Sequence, residues 1–130
     1  MPPLYRKDKT METLKIDCGL REYRVNGKGI LRLNPTDPNV YSRFEEMMES
    51  LPNMADQVGS VKELDQQLKA ALSRVFPGND FDKLLGGVSL LAVCANGQKV
   101  LDNLLQALAA VMEQGMEEYA QLLAQQVRGQ

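Results

Sequence analysis

The chain has 130 residues, of which 44% are hydrophobic, 25% are charged and 5% are aromatic, and its formal net charge is -2. This length and composition are typical of a single globular domain with an ordinary core. The sequence contains neither histidine nor tryptophan. Without histidine the chain cannot form a Ser–His or Cys–His nucleophile pair, nor a histidine-bearing zinc site. Composition therefore argues against many classes of enzyme.

The charges are distributed unevenly along the chain. Residues 1–32 hold eight Lys or Arg against four Asp or Glu, whereas residues 33–130 hold seven against thirteen. A basic patch for phosphate or for an acidic partner is one interpretation, but the interleaving of charged and apolar residues favours a solvated strand surface. The balanced total is not typical of a nucleic-acid-binding protein.

Cysteine usage and the termini indicate a cytoplasmic protein. Cys18 and Cys94 lie far apart and lack metal-ligand spacing, which favours free thiols in a reducing compartment. The first ten residues are charged and have no apolar centre, so they do not resemble a signal peptide, and we expect a flexible leader over 1–11. The longest uncharged run, 84–98, is too short to span a bilayer.

Residues 14–33 are predicted to form a small antiparallel β-meander. Apolar and charged residues alternate from Leu14 to Cys18 and again from Glu22 to Val25, as half-buried strands require. Asn26-Gly27 is typical of a type I′ hairpin turn, in which both positions have positive φ. The return strand is expected to run from Lys28 to Leu33.

Two helices are predicted to follow the sheet. The first begins at Pro38 with Asp37 as its cap and ends near Pro52. Its apolar stripe is Val40, Phe44, Met47, Met48 and Leu51. The second begins at Ser60, where Glu63 completes a capping box, and Pro77-Gly78 ends it. Its stripe is Leu64, Leu68, Ala71, Leu72 and Val75.

The pattern of residues 79–96 is less regular. Phe81, Leu84 and Leu85 fit a short helical turn that Gly86-Gly87 interrupts. The run from Val88 to Cys94 fits either a strand or a helix, and we favour a short helix.

The final helix is predicted to be the longest, from Lys99 to Gln126, with apolar residues every three or four positions. Its length, roughly 40 Å, exceeds what a compact domain of this size easily covers. Its apolar face packs either against another chain or wholly within the internal core, and the sequence leaves both alternatives open.

No catalytic, metal or cofactor site is predicted. Asp80 and Asp82 lack the further ligands of a calcium site, and helix capping explains them better. Gly27-Lys28-Gly29 fits a hairpin turn better than a phosphate-binding loop. The carboxylates of the first helix fit a cap or a solvated face rather than acid–base pairs: Asp37, Glu45, Glu46 and Glu49.

The sequence therefore predicts an α+β fold, in which a small N-terminal antiparallel β-meander or hairpin precedes a mainly helical bundle with a long C-terminal helix. One domain is expected over 12–126, with the β region at 12–34, the helical region at 37–126 and a short tail at 127–130.

The order of these features resembles a family of short phage and prophage proteins of Gram-positive bacteria. In that family a strand pair with an Asn-Gly turn, here within Cys18 to Lys28, runs into an "N-P-T-D" helix start, here Asn34 to Asp37. Val75-Phe76-Pro77-Gly78 and Leu85-Gly86-Gly87-Val88 are similar to its connector, although Pro77 and Leu85 stand where Gly and Phe are expected. Leu90-Leu91-Ala92 and the run from Val100 to Leu105 resemble the start of its final helix. The resemblance covers about residues 12–120.

This resemblance implies a non-enzymatic tail assembly chaperone of a long-tailed phage, acting in the cytoplasm of the host bacterium. Such proteins are thought to bind the tape-measure protein and to present it to the major tail (tail-tube) protein. The alternative is a tail-completion or head–tail connector subunit that stays in the virion. No nucleic-acid, membrane or cofactor partner is implied.

Seven methionines offer adaptable apolar surface for a helical client, although gap-filling in the core is the simpler interpretation of each one. We expect five residues of the long helix to contribute to self-association or client binding: Leu104, Leu108, Met112, Met116 and Tyr119.

Overall fold

The computed structural model describes residues 11–57 and 59–128, in which a two-stranded antiparallel hairpin precedes four helices. The elements are β1 (Arg21–Val25), β2 (Gly29–Leu33), α1 (Pro38–Gln57), α2 (Val61–Val75), α3 (Phe81–Leu84) and α4 (Val100–Arg128). The predicted α+β fold with a long final helix is confirmed. Most of the predicted leader, and the last two residues of the predicted tail, lie outside the described residues.

The predicted first strand, Leu14 to Cys18, is wrong, and the described sheet is a hairpin rather than a meander. Leu14 and Ile16 are 85% and 75% exposed, so the alternating pattern has no partner surface on which to bury its apolar face. Gly19, with a φ of 74°, interrupts the extended chain before β1.

The Asn-Gly turn is confirmed. Asn26 and Gly27 have φ angles of 52° and 73°, and the Lys28 amide donates to the Val25 carbonyl over 3.0 Å. The strand register pairs Val25 with Gly29, so Lys28 is an extra residue between the turn and β2. The return strand consequently starts one position later than predicted.

The outer edge of β2 is bonded to a side chain. The Arg32 amide donates to Asn79 Oδ1 over 2.8 Å, and Asn79 Nδ2 donates to the carbonyl oxygens of Arg32 and Phe76 over 2.8 and 2.9 Å. The amide group of Asn79 thus takes the position of a neighbouring strand's peptide group, and it joins β2 to the segment that follows α2.

Helix α1 begins as predicted but extends beyond the predicted end. Asp37 Oδ1 accepts from the Asn39 amide over 2.9 Å, which confirms the cap. Pro52 lies inside the helix, which continues to Gln57. Proline removes the hydrogen bond to the carbonyl of Met48 and its ring crowds that carbonyl, but Met54 in the next turn still packs against the core.

Both ends of α2 are held by side chains. Ser60 Oγ accepts from the Glu63 amide over 3.1 Å, and Glu63 Oε2 accepts in return from the amide of Gly59 over 3.2 Å. At the other end, the Arg43 guanidinium of α1 donates to the Val75 carbonyl over 3.2 and 3.1 Å. The capping box is therefore confirmed, with its return bond one residue earlier than the usual pattern.

The predicted short helix at 88–94 is wrong, because side chains and a non-helical backbone bond hold this segment. The Leu90 amide donates to Asp65 Oδ1 over 2.7 Å, and Val93 forms an isolated antiparallel bridge with Lys99. Only the preceding turn is helical, and Asp80 caps it by accepting from the amides of Asp82 and Lys83.

The core lies where the hairpin, α1, α2, α3 and α4 meet. Phe76 is 1% exposed, and its ring centroid lies 6.1 Å from those of both Phe44 and Phe81. The buried apolar stripes of α1 and α2 agree with the predicted periodicity, except that Met48 is 39% exposed.

Helix α4 approaches the β2–α1 connection so closely that only glycine fits at position 115. A Cβ atom added to Gly115 would collide with the carbonyl group of Pro35, and Pro35 itself is almost fully buried. Backbone atoms on both sides form this contact, so no flexible side chain can move aside. The position of α4 over the domain depends on it.

We expect Gly115→Ala to destabilise the protein by about 1–3 kcal/mol, because the methyl group must displace either the helix or Pro35. At an unconstrained helical site the same change would stabilise the protein by about 0.5–1 kcal/mol. Urea unfolding measures the difference. Ala120→Gly, at an exposed position of the same helix, reports helix propensity alone. A more stable Gly115→Ala protein would contradict the close packing.

Candidate protein-binding site

An apolar cleft of about 530 Å³, called the groove below, lies between the hairpin, the loop after α3 and the N-terminal half of α4. The hairpin contributes Tyr23 and Val25, the loop contributes Val88 and Cys94, and α4 contributes Leu104. Clefts that bind proteins or ligands are usually lined in this way, by apolar side chains with a few polar groups at the edge. The groove is therefore the candidate binding site.

The floor of the groove consists of uncharged side chains of α4. Leu104, Ala107 and Val111 line the cleft, whereas Asp102 does not. At 1.5 Å per residue, the floor from Val100 to Val111 is roughly 16 Å long. This length corresponds to about three turns of a bound helix.

One edge of the groove is basic. Arg24 lines its mouth and Lys28 lies in the adjacent turn, and both side chains are exposed. Within residues 11–57 and 59–128, neither of them is in an ion pair. The hairpin as a whole carries four cationic side chains against the single carboxylate of Glu22. An occupant with acidic residues beside its apolar face would be favoured.

An ion pair fixes the hairpin to α4 beyond one end of the groove. Arg21 Nη2 donates to Glu118 Oε1 over 2.7 Å, and both side chains are 44% exposed. The hydrogen bond from Arg21 lowers the pKa of Glu118, and its acceptance by Glu118 raises the pKa of Arg21. Because both side chains face solvent, the pair contributes little to the stability of the fold.

A partly buried charge network holds the loop wall. Lys69 Nζ lies 2.7 Å from Asp82 Oδ1 and 3.1 Å from Asp65 Oδ2, and Asp65 also accepts the Leu90 amide. Leu90 is fully buried, so the network fixes the loop that carries Val88. Burial works to lower the pKa of Lys69, but the hydrogen bonds to Asp82 and Asp65 outweigh it and the pKa is raised.

The five residues predicted for protein binding do not lie on one surface. Leu108 and Met112 are 3% and 1% exposed and belong to the chain's own core, with Leu108 also reaching the groove floor. Leu104 is half-buried in the groove, whereas Met116 and Tyr119 are half-buried further along the helix. The structure thus divides the predicted set between the core and two surfaces.

Sequence reasoning missed the part of the groove outside α4. Tyr23 and Val25 alternate with charged residues in β1, which predicts that one face of the strand is apolar and packs against other elements. The alternation does not show that part of this face stays open to solvent. The pattern from Val88 to Cys94 predicts a helix, and nothing in it indicates that Val88 is 46% exposed at the wall of a cleft.

A second apolar surface, called the projecting stripe below, continues the core-facing side of α4 past Gly115. It consists of Tyr119, Leu122, Leu123 and Val127, of which the last three are 49%, 44% and 73% exposed. These positions recur at the spacing that buries Leu108 and Met112 earlier in the same helix. Contiguous exposed apolar surface of this kind marks interaction sites.

Comparison with known proteins found no match to this chain among family models, curated proteins or solved structures. Within the described part of the chain, no helix has the length and apolar character needed to cross a membrane.

We expect Lys69→Met to lower the free energy of unfolding by about 1–3 kcal/mol near neutral pH, because it leaves the buried side of Asp65 with an unmatched charge. Because the pKa of Lys69 is raised in the folded protein, protonated Lys69 stabilises the fold at every pH below its ordinary pKa of 10.5. This stabilisation is lost as the pH rises through the higher pKa of the folded state. The gap between wild type and variant in urea unfolding should therefore narrow above about pH 10.5.

Lys62→Met, at an exposed position of the same helix, is the control and should change stability by less than about 0.5 kcal/mol. A gap for Lys69→Met that stays constant between about pH 7 and about pH 11.5 would show that the charge of Lys69 does not contribute.

Proposed function

We propose that this protein is a non-enzymatic assembly chaperone that binds an amphipathic helix of its client in the groove. The observation that carries the proposal is the groove itself, an apolar cleft whose floor is formed by uncharged side chains of a single helix. Binding of an amphipathic helix in an apolar groove is a recurrent mode of peptide recognition.

The dimensions of the groove suit a helical client. Its floor is roughly 16 Å long, so a helix laid along it would contribute apolar residues from about three turns, at positions i, i+3 or i+4, and i+7. The two walls differ, since strand residues form one and the irregular loop forms the other. A client helix would therefore contact side chains from three separate parts of the chain.

The edge of the groove adds a preference for charge. Arg24 and Lys28 stand beside the apolar floor without an ion-pair partner among the described residues. Charges at the edge of an interface act on association rate and orientation more than on affinity. Acidic residues flanking the client's apolar face would set which way the helix lies.

The identity of the client is inferred from the resemblance to phage tail proteins. Tape-measure proteins are long and helical, so they offer many amphipathic segments that need cover before assembly. We therefore propose that the client is the tape-measure protein of a long-tailed phage, that tail-tube subunits receive it, and that the complex forms in the host cytoplasm.

We expect Ala107→Glu to weaken binding of the tape-measure protein at least about tenfold, because it places a carboxylate on the apolar floor where a client helix would bury it. Ala110→Glu adds the same charge to an exposed position of α4 that does not line the groove, and should bind normally. Co-expression followed by co-purification measures binding and the soluble yield of the tape-measure protein.

The proposal fails if the tape-measure protein is equally soluble without this chain, or if the two variants bind it equally. Mass spectrometry of purified virions distinguishes the chaperone hypothesis from the hypothesis that this protein is a structural tail component. Retention of the chain in the particle at a fixed stoichiometry would favour the structural alternative.

A further inference from the structure

We propose that the projecting stripe of one molecule occupies the groove of another, so that the protein self-associates head to tail. The inference rests on the proposed function in one respect, since both treat the groove as a receptor for a helix. It adds a specific occupant, a second copy of this chain.

The two surfaces match in size. The stripe from Tyr119 to Val127 is roughly 12 Å long as a helix, so it fits within the groove floor, which is roughly 16 Å long. The stripe presents apolar residues in successive turns, at Tyr119, at Leu122 and Leu123, and at Val127, which is the arrangement that a helix-binding groove accepts.

The two surfaces also have opposite charge. Arg21 and Glu118 are already paired with each other within one molecule, as are Arg32 and Glu22. Among the described residues, this leaves Glu113 and Glu117 outside any ion pair on residues 113–127 of α4, and Arg24 and Lys28 outside any ion pair on the hairpin. Attraction between them brings the end of one molecule toward the basic edge of another's groove. Contact between the projecting stripes of two molecules would instead bring their carboxylates together.

The contact cannot form within one molecule. Leu104 and Leu123 lie on the same continuous helix, and 19 residues separate them by roughly 28 Å. The stripe can therefore reach only the groove of a different copy. Each molecule then presents its groove at one end and its projecting stripe at the other. Such an interface is heterologous and allows rings or open chains.

This arrangement implies competition between self-association and client binding. A client helix that enters the groove must displace the neighbour's α4, so the assembled form would cover both apolar surfaces until a client is present. Such cover reduces the exposure of apolar surface that otherwise favours aggregation.

Sedimentation velocity over a range of protein concentrations tests self-association. We expect the wild type to form larger species as its concentration rises, and Leu123→Glu to weaken this association at least about tenfold. Gln125→Glu adds a carboxylate to an exposed position on another face of the same helix and should associate like the wild type. A wild type that stays monomeric would overturn the proposal.

Mixing two variants tests the head-to-tail geometry. Leu123→Glu retains an intact groove, and Ala107→Glu retains an intact stripe, so neither should associate alone. Together they should form a one-to-one dimer that grows no further, which also shows that both are folded. Self-association of Ala107→Glu alone would overturn the groove as the receiving surface.

Client binding separates this proposal from the proposed function. Leu123→Glu leaves the groove unchanged and should bind the tape-measure protein at least as well as the wild type does. If it binds the client while the mixed variants fail to pair, only the self-association proposal is wrong. If the variants pair but no form binds the client, only the proposed function is wrong.

Cys94 provides an internal probe, because it lies in the groove whereas Cys18 is exposed outside it. Alkylation of Cys94 should slow as the wild-type concentration rises, while the rate at Cys18 stays constant. Equal slowing at both thiols would contradict burial of the groove.

Discussion

The contact between the backbone of α4 at Gly115 and the carbonyl of Pro35 determines how the long helix crosses the domain. Because no side chain separates them, α4 lies directly against the β2–α1 connection. On one side of this crossing the helix runs beside the hairpin and forms the groove floor. On the other side, beyond the ion pair between Arg21 and Glu118, it extends past the other described elements. A single close approach thus divides one continuous helix into two surfaces with different surroundings.

Polar side chains hold the irregular segments around that helix in place. Asp65 accepts the amide of Leu90, Lys69 joins Asp65 to Asp82, and Asn34 Nδ2 holds the Cys18 carbonyl over 2.8 Å. Within the described residues, every buried side-chain nitrogen or oxygen atom in the structure has a hydrogen-bond partner. A loop fixed in this way can form a defined wall of a binding site, because its shape does not depend on the occupant.

Sequence patterns predicted the elements that follow local rules. The Asn-Gly turn, the Asp37 cap and the Ser60 capping box depend on neighbouring residues, and all three are present. The strand at Leu14 and the helix after Val88 failed because periodicity does not show whether a partner surface exists. The groove could be predicted from the sequence only in part. Its α4 side follows from the apolar periodicity, but its other walls depend on contacts between distant segments, such as that of Arg21 with Glu118.

The side-chain amide of Asn79 also restricts how the sheet can grow. A two-stranded hairpin normally has two open edges, and each one can template the addition of a strand from another molecule. Asn79 satisfies both backbone polar groups of Arg32, so an incoming strand would have to break those bonds before pairing with β2. Edge-to-edge aggregation through β2 is therefore opposed by a residue that belongs to no strand.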